Sequence, residues 1–218
     1  MIIEHPCVFN FLPPKSPHTL FTHAQKMAKP LAASILLFSA VICLLMCVSS
    51  AQKGHRSVQK WFKNLPHAKL KVTELHFYFH DVVGGKNPTV VSVARANSTS
   101  DSPTMFGLVM IVDDPLTAGP DPKSKIVGRA KGVMNYASME EMGMLMTINF
   151  VFTGGKYNGS SLSVVGYNPI QRRYREMSVV GGSGVFRLAR GVATAETAAF
   201  DAESGNAVVE YNVLVLHY

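Results

Sequence analysis

With 218 residues, 47% apolar and only 16% charged, the chain is too core-rich for disorder and suits one domain plus a targeting segment. Its net charge of +7 is dispersed rather than gathered into a patch, which argues against nucleic acid as a partner. The 17 glycines and 12 prolines are scattered, which favours many short strands over long helices.

The most apolar stretch, residues 31–50, reads as a signal peptide. Lys26 and Lys29 supply the positive n-region, Leu31 to Val48 the apolar run, and Ser49 and Ala51 the small residues of a cut between Ala51 and Gln52. An uncleaved membrane anchor is the alternative, since the run approaches the ~20 residues a spanning helix needs. Residues 1–26 do not look like an n-region, and Met27 is a second candidate start. Cys7, Cys43 and Cys47 all precede the cut, so the mature chain enters an oxidising compartment without a cysteine. About 165 residues are enough to hold together on their core alone, without disulfide, thiolate metal site or cysteine nucleophile. Losing Lys15, Lys26, Lys29 and Glu4 with the leader leaves 18 basic against 13 acidic residues, a net +5. Such a balance suits an anionic wall polymer, but equally an ordinary solvated surface. Two glycosylation sequons, at Asn97 and Asn158, lie in turn-like stretches and fit export.

Residues 52–71 are basic and weakly patterned and are expected to link the leader to a single domain over 72–218. From there the period is two. In Val72–Val82, Leu75, Phe77 and Phe79 share one face, and His76, Tyr78 and His80 the other, before Gly84-Gly85 breaks the strand. Further strands are expected over Thr89–Ala96 and Thr104–Val112, the latter closed by Asp113-Asp114-Pro115 and a proline-rich loop. Ile126–Tyr136, Gly143–Thr153, Ser161–Tyr167, Val185–Glu196 and Ala207–Tyr218 complete a set of eight, with no helix among them. An all-β chain of this kind suits an eight-stranded antiparallel up-and-down barrel, whose closure removes sheet edges and leaves room for one small ligand. A two-sheet sandwich is the rival architecture.

Asp81 continues the face of Phe77 and Phe79, so its carboxylate points at the interior, where it needs a partner or a raised pKa. A strand-end aspartate capping the Gly84-Gly85 turn is the equal alternative. His76 and His80 stand about 13 Å apart on a strand, too far for one zinc, and read as outward-facing residues. Gly182-Ser183-Gly184 has Arg187 where a nucleotide loop needs glycine, and reads as a tight loop at the barrel rim. Arg172 and Arg173 read as a solvated turn. Arg175, followed by Glu176 and Met177, sits where the chain re-enters the body and is placed to pair with a buried carboxylate such as Asp81. Seven methionines between Met105 and Met146 read as adaptable core filler.

His76-Phe77-Tyr78-Phe79-His80-Asp81 resembles the opening strand of the plant dirigent family. In the family's order follow Asp113-Asp114-Pro115-Leu116-Thr117, Val127-Gly128-Arg129-Ala130-Lys131-Gly132 and Phe150-Val151-Phe152-Thr153. Residues 155–160, the run Arg175-Glu176-Met177-Ser178-Val179-Val180-Gly181-Gly182, Ala189-Arg190-Gly191 and Glu210-Tyr211-Asn212-Val213 extend the likeness across residues 72–218. The resemblance implies a barrel similar to those of lipocalins and allene oxide cyclase, secreted to the apoplast, a homo-oligomer (usually a trimer), with no cofactor and no metal. It implies a phenolic substrate or radical, made by a separate laccase or peroxidase, whose coupling the protein steers, as when two coniferyl alcohol radicals give one optically active lignan. The family's pocket aspartate falls on Asp81, its arginine on Arg175, and the second of two pocket tyrosines on Tyr136. Met134 replaces the first tyrosine, and Phe79 joins it in the expected substrate pocket. Asn168 stands where lignan-forming members resemble one another in carrying a second aspartate, and an amide can orient a phenol but cannot deliver a proton. With the missing cysteine pair, this places the chain with the b/d branch, some of whose members resemble cyclising dehydratases acting through a quinone methide on isoflavonoid-type alcohols. A ring-closing enzyme and a scaffold for lignin deposition are therefore alternatives to guided radical coupling.

Overall fold

The computed structural model describes residues 18–218, with side chains for 34–46 and 54–218. Residues 1–17, and the side chains of the charged n-region, Met27, Cys47 and the expected cut at Ala51, lie outside that description. The chain divides into two compact units, residues 1–66 and 67–218.

In the first unit a helix, α1, runs over His18–Asn64, so the expected linker from Gln52 onward is helical as far as Asn64. Its residues explain this: Gln, Lys and Arg are good helix formers, and the segment holds one β-branched residue, Val58, before Pro66. A proline cannot continue the ladder of backbone hydrogen bonds, and one 3₁₀ turn over Leu65–His67 ends the run. Among the described residues no helix is long and apolar enough to cross a membrane.

The second unit is all strand, in chain order β1 (Lys71–Asp81), β2 (Val90–Ala94), β3 (Val109–Thr117), β4 (Ile126–Tyr136), β5 (Gly143–Phe152), β6 (Ser161–Pro169), β7 (Arg175–Ser183), β8 (Arg190–Phe200) and β9 (Ala207–His217). All neighbours are antiparallel, in the order β1-β9-β8-β7-β6-β5-β4-β3-β2, and a further pairing of β1 with β3 closes eight of them into a barrel. The ninth, β2, lies along β3 outside the ring. This is the expected eight-stranded barrel with one extra strand.

One strand of the ring, β7, was not among the eight expected, and β2, which was, lies outside the ring; other expectations moved for local reasons. Gly182 and Ser183, expected in a tight loop at the barrel rim, belong to β7. Gly182 sits in it where a Cβ would come within 2.6 Å of the Phe186 carbonyl oxygen, so this glycine permits close backbone packing inside a strand. The strand expected from Val185 begins at Arg190, because residues 184–186 form a 3₁₀ turn and Leu188 takes a left-handed φ of 57°. Last, β3 continues through Pro115 to Thr117. Pro115 lies between the stretch of β3 paired to β2 and the stretch paired to β1, where its missing N–H interrupts neither ladder.

Alternation then sorts the side chains. At the end of the barrel holding the β5–β6 and β7–β8 turns, aromatic rings fill the interior. Phe150 meets Phe77 edge-on at 5.0 Å and Tyr211 at 5.2 Å, and Phe152 leans on Phe186 at 5.8 Å. Such pairs add about 0.5–1.5 kcal/mol each beyond burial. Phe150→Ala is expected to cost about 3–5 kcal/mol, read as a lowered urea midpoint.

Candidate functional site

The opposite end of the barrel is chemically different. Here β1, β4, β6 and β8 finish and β5, β7 and β9 begin, so each strand's terminal interior residue points into the same space. Asp81 ends β1 on the inward face it shares with Phe77 and Phe79. Met134 and Tyr136 hold the same face of β4. Asn168 faces inward from β6, opposite Met144 of β5. Arg175 opens β7, and the β6–β7 register, continued toward that end, sets it opposite Asn168.

Asp81 is half-buried, and its Oδ1 is buried with no hydrogen-bonding partner in the protein. Burial alone pushes its carboxyl up to about 6. The capping alternative does not hold, because the Val83 and Gly84 amides donate to Asn206 Oδ1, at 2.9 and 3.0 Å. The expected pairing with Arg175 is absent as well. Arg175 is 4% exposed and spends Nη1 on the Ile170 carbonyl (3.1 Å), the Arg172 carbonyl (3.3 Å) and Thr197 Oγ1 (2.8 Å). Its Nε has no partner. Burial lowers its pKa, against the pull of Tyr211 and Glu196. Loop carbonyls anchor this guanidinium at the rim, so it positions the chain there instead of neutralising Asp81.

Burial and then the nearby Asp81 raise the Tyr136 hydroxyl. Asn168 points Nδ2 at Met146 Sδ (2.9 Å), and its Oδ1 is buried and unpartnered. Met134 and Phe79 are buried wall, with Phe79 5.8 Å from the Tyr211 ring.

One acid in this cluster was missed. Asp114 is fully buried on β3, on the inward face with Val112 and Leu116, where the sequence reading had placed a strand terminator. Thr89 Oγ1 donates to its Oδ1, while Oδ2 has no partner. Burial, with a contribution from Asp81, pushes it up to about 8, against the lowering hydrogen bond from Thr89. Tyr211, also missed, lies within electrostatic reach of Asp81, Asp114 and Arg175, and its hydroxyl is pushed above the usual phenol range by burial. Alternation along β3 would have marked Asp114 had the strand been carried through Pro115.

The two histidines divide. His76 is outward and meets Glu210 at 2.6 Å. His80 also leaves the barrel face but is buried, and its Nε2 lies 2.6 Å from Thr117 Oγ1. That hydroxyl donates to the Gly119 carbonyl (2.7 Å), so the ring N–H is the donor to it. Burial lowers the His80 pKa, partly offset by Asp121. His80 faces outward as expected, and the β3–β4 loop covers it there. Asn97 and Asn158 are exposed.

These features define a class of closed antiparallel barrels with an internal acid-bearing site at one end. Over residues 72–216 the chain matches the family model described as dirigent-like protein, and it belongs to the dirigent family. It is 46% identical to Dirigent protein 23 of Arabidopsis thaliana over 178 residues, 81% of this chain and 95% of that one. It is 48% identical to Pterocarpan synthase 1 of Glycyrrhiza echinata over 149 residues, 68% of this chain and 79% of that one. The solved pterocarpan synthase dirigent protein GePTS1 superposes with a TM-score of 0.66 at 47% identity, covering 69% of this chain and 92% of that one.

Asp81 and Asp114 hold protons in the folded chain at pH values where the unfolded chain has released them. Folding therefore takes up protons, and stability falls as pH rises from about 4 to about 8. Urea midpoints are expected to drop across that window, and Asp114→Asn to flatten the part between about 6 and about 8.

Proposed function

We propose that this chain holds a phenolic molecule at the polar end of its barrel and dictates which face reacts, closing a ring through a quinone methide. The observation that carries this reading is a set of unpartnered polar atoms, Asp81 Oδ1, Asp114 Oδ2 and Asn168 Oδ1, aimed inward among apolar side chains. Orphaned buried oxygens are costly, and a ligand with hydroxyl groups satisfies them. Similarity to proteins named as pterocarpan synthases supports the same direction. Control of handedness needs little energy, since about 2.7 kcal/mol between two approaches gives about a hundredfold preference. Held geometry supplies that without a covalent intermediate. In this reading Asp81 exchanges a proton with the substrate, Tyr136 binds a phenolic or carbonyl oxygen, and Asn168 orients. Met134 and Phe79 form the apolar wall.

A second reading is guided coupling of phenoxy radicals supplied by a laccase or peroxidase. Arg175 and Tyr136 support it, standing where the family resemblance places a pocket arginine and tyrosine. The two readings separate on a panel of monolignols and isoflavonoid alcohols, with and without laccase, resolved by chiral chromatography. Ring closure without oxidase is the expected result, whereas chiral product only with oxidase would replace it by the coupling reading. Asp81→Ala is expected to remove enantiomeric excess, and full retention of handedness would refute the site.

The protein acts in the apoplast as a homo-oligomer, after cleavage of the leader. Secreted material is expected to begin at Gln52 and to lose mass at Asn97 and Asn158 when its N-glycans are removed, both read by mass spectrometry.

A further inference from the structure

We infer that Asp81 and Asp114 form one proton-sharing pair across the seam where β1 closes on β3, with Asp114 holding the proton and Asp81 accepting one. The register of that seam pairs Tyr78 with Thr117 and Phe79 with Leu116. Continued by two places, it sets Asp81 opposite Asp114, both on the inward face. Among the described residues neither carboxyl has an ion-pair partner, and Arg129 and Asp113 act on Asp114 in opposite senses, the first lowering and the second raising it. Arg175 is committed to the β6–β7 turn and Thr197. Arg129 and Lys131 lie on the outer face of β4 and serve Asp113, at 2.5 and 3.8 Å. The other groups facing the pair are Tyr136 from β4 and Tyr211 from β9, both neutral phenols. Two carboxylates facing each other in so dry a place cannot both ionise, so they hold one proton between them.

Which of the two holds it follows from burial and from Thr89. Asp114 is fully enclosed, whereas Asp81 at its strand end is half-buried and ionises first. The Val82 amide donates to Thr89 Oγ1 (3.3 Å), so the threonine's own hydrogen goes to Asp114 Oδ1. That oxygen is thereby an acceptor, and the acid proton sits on Oδ2, the oxygen without a partner. Asp114 thus supplies the acid that Asn168 cannot be.

Resting on the ring-closing reading above, the pair balances that reaction. Asp114 Oδ2 gives its proton to the benzylic hydroxyl, whose C–O bond breaks with both electrons leaving on oxygen as water. Asp81 takes the phenol's proton, which leaves a neutral quinone methide. A second phenolic oxygen then bonds to the methide carbon and passes its proton to Asp114, while Asp81 returns its proton to the methide oxygen. One water is lost, both carboxyls are restored, and no oxidant is consumed.

The test is a titration of the secreted protein carrying carboxyl-¹³C aspartate, followed by NMR without substrate. Two midpoints, near about 6 and about 8, are expected. Asp114→Asn should abolish the upper one and leave that of Asp81 at about 6, because Asp114 is neutral where Asp81 ionises, whereas Asp81→Asn removes a negative charge and should lower that of Asp114. Thr89→Val, which leaves both acids in place, should raise the upper midpoint further. An Asp114 midpoint that ignores the removal of Asp81, or two midpoints in the ordinary carboxylate range, overturns the pair. With substrate, Asp114→Asn should slow ring closure about a hundredfold and remove the alkaline limb of its pH profile. Coupled midpoints with no turnover on any phenolic alcohol would sink the ring-closing reading and leave the pair standing.

Discussion

The barrel is shut by a short seam. β1 runs alongside β9 for its whole length from Lys71 to Asp81, yet it meets β3 in register at only Tyr78 and Phe79. Up to that seam the nine strands are a meander with two edges, and a sheet edge is a row of unsatisfied backbone groups. Closing it turns one face of every strand inward and makes an interior from residues far apart in the chain. Continued by two places, the register of the same seam also sets Asp81 opposite Asp114.

Interior composition is then divided along the barrel axis. One end is packed with rings, where Phe77, Phe150, Phe152, Phe186 and Tyr211 supply stiffness through edge and stacked contacts. The other end places strand-terminal residues, which are the positions with least ladder on both sides. Polar side chains there need not interrupt the packed core, and the loops that follow can wrap them, as the β6–β7 turn wraps Arg175. The rigid aromatic end and the polar end are two halves of one device: the first holds the second still. Preorganised groups of this sort lose little entropy when a ligand arrives.

Much of this was legible before any coordinates. Period-two patterning marked most of the strands and the inward set Phe77, Phe79 and Asp81, because alternation is a property of a single strand. Family resemblance added Arg175, Tyr136 and Asn168, which alternation alone does not single out. Less was legible where local and tertiary signals conflict. Pro115 reads as a stop, and only the change of partner from β2 to β1 lets a strand pass through it. Glycines near residue 182 read as a loop, and only the nearness of Ser161 and Phe186 shows that they serve packing. His80 reads as outward, which it is, but the loop after β3 buries it.

By itself the sequence determined most of the strands, their apolar inner face, and the acid at the end of β1, since each depends on residues within one segment. It also determined that residues 67–218, the barrel, hold no cysteine to staple it. The tertiary structure alone decided what each acid faces. Closure turned Asp81 toward Asp114 and left Arg175 to the rim, and it gave the Gly84 turn its cap from Asn206. Those are contacts between segments separated by tens of residues, and such contacts exist only once the ring is complete.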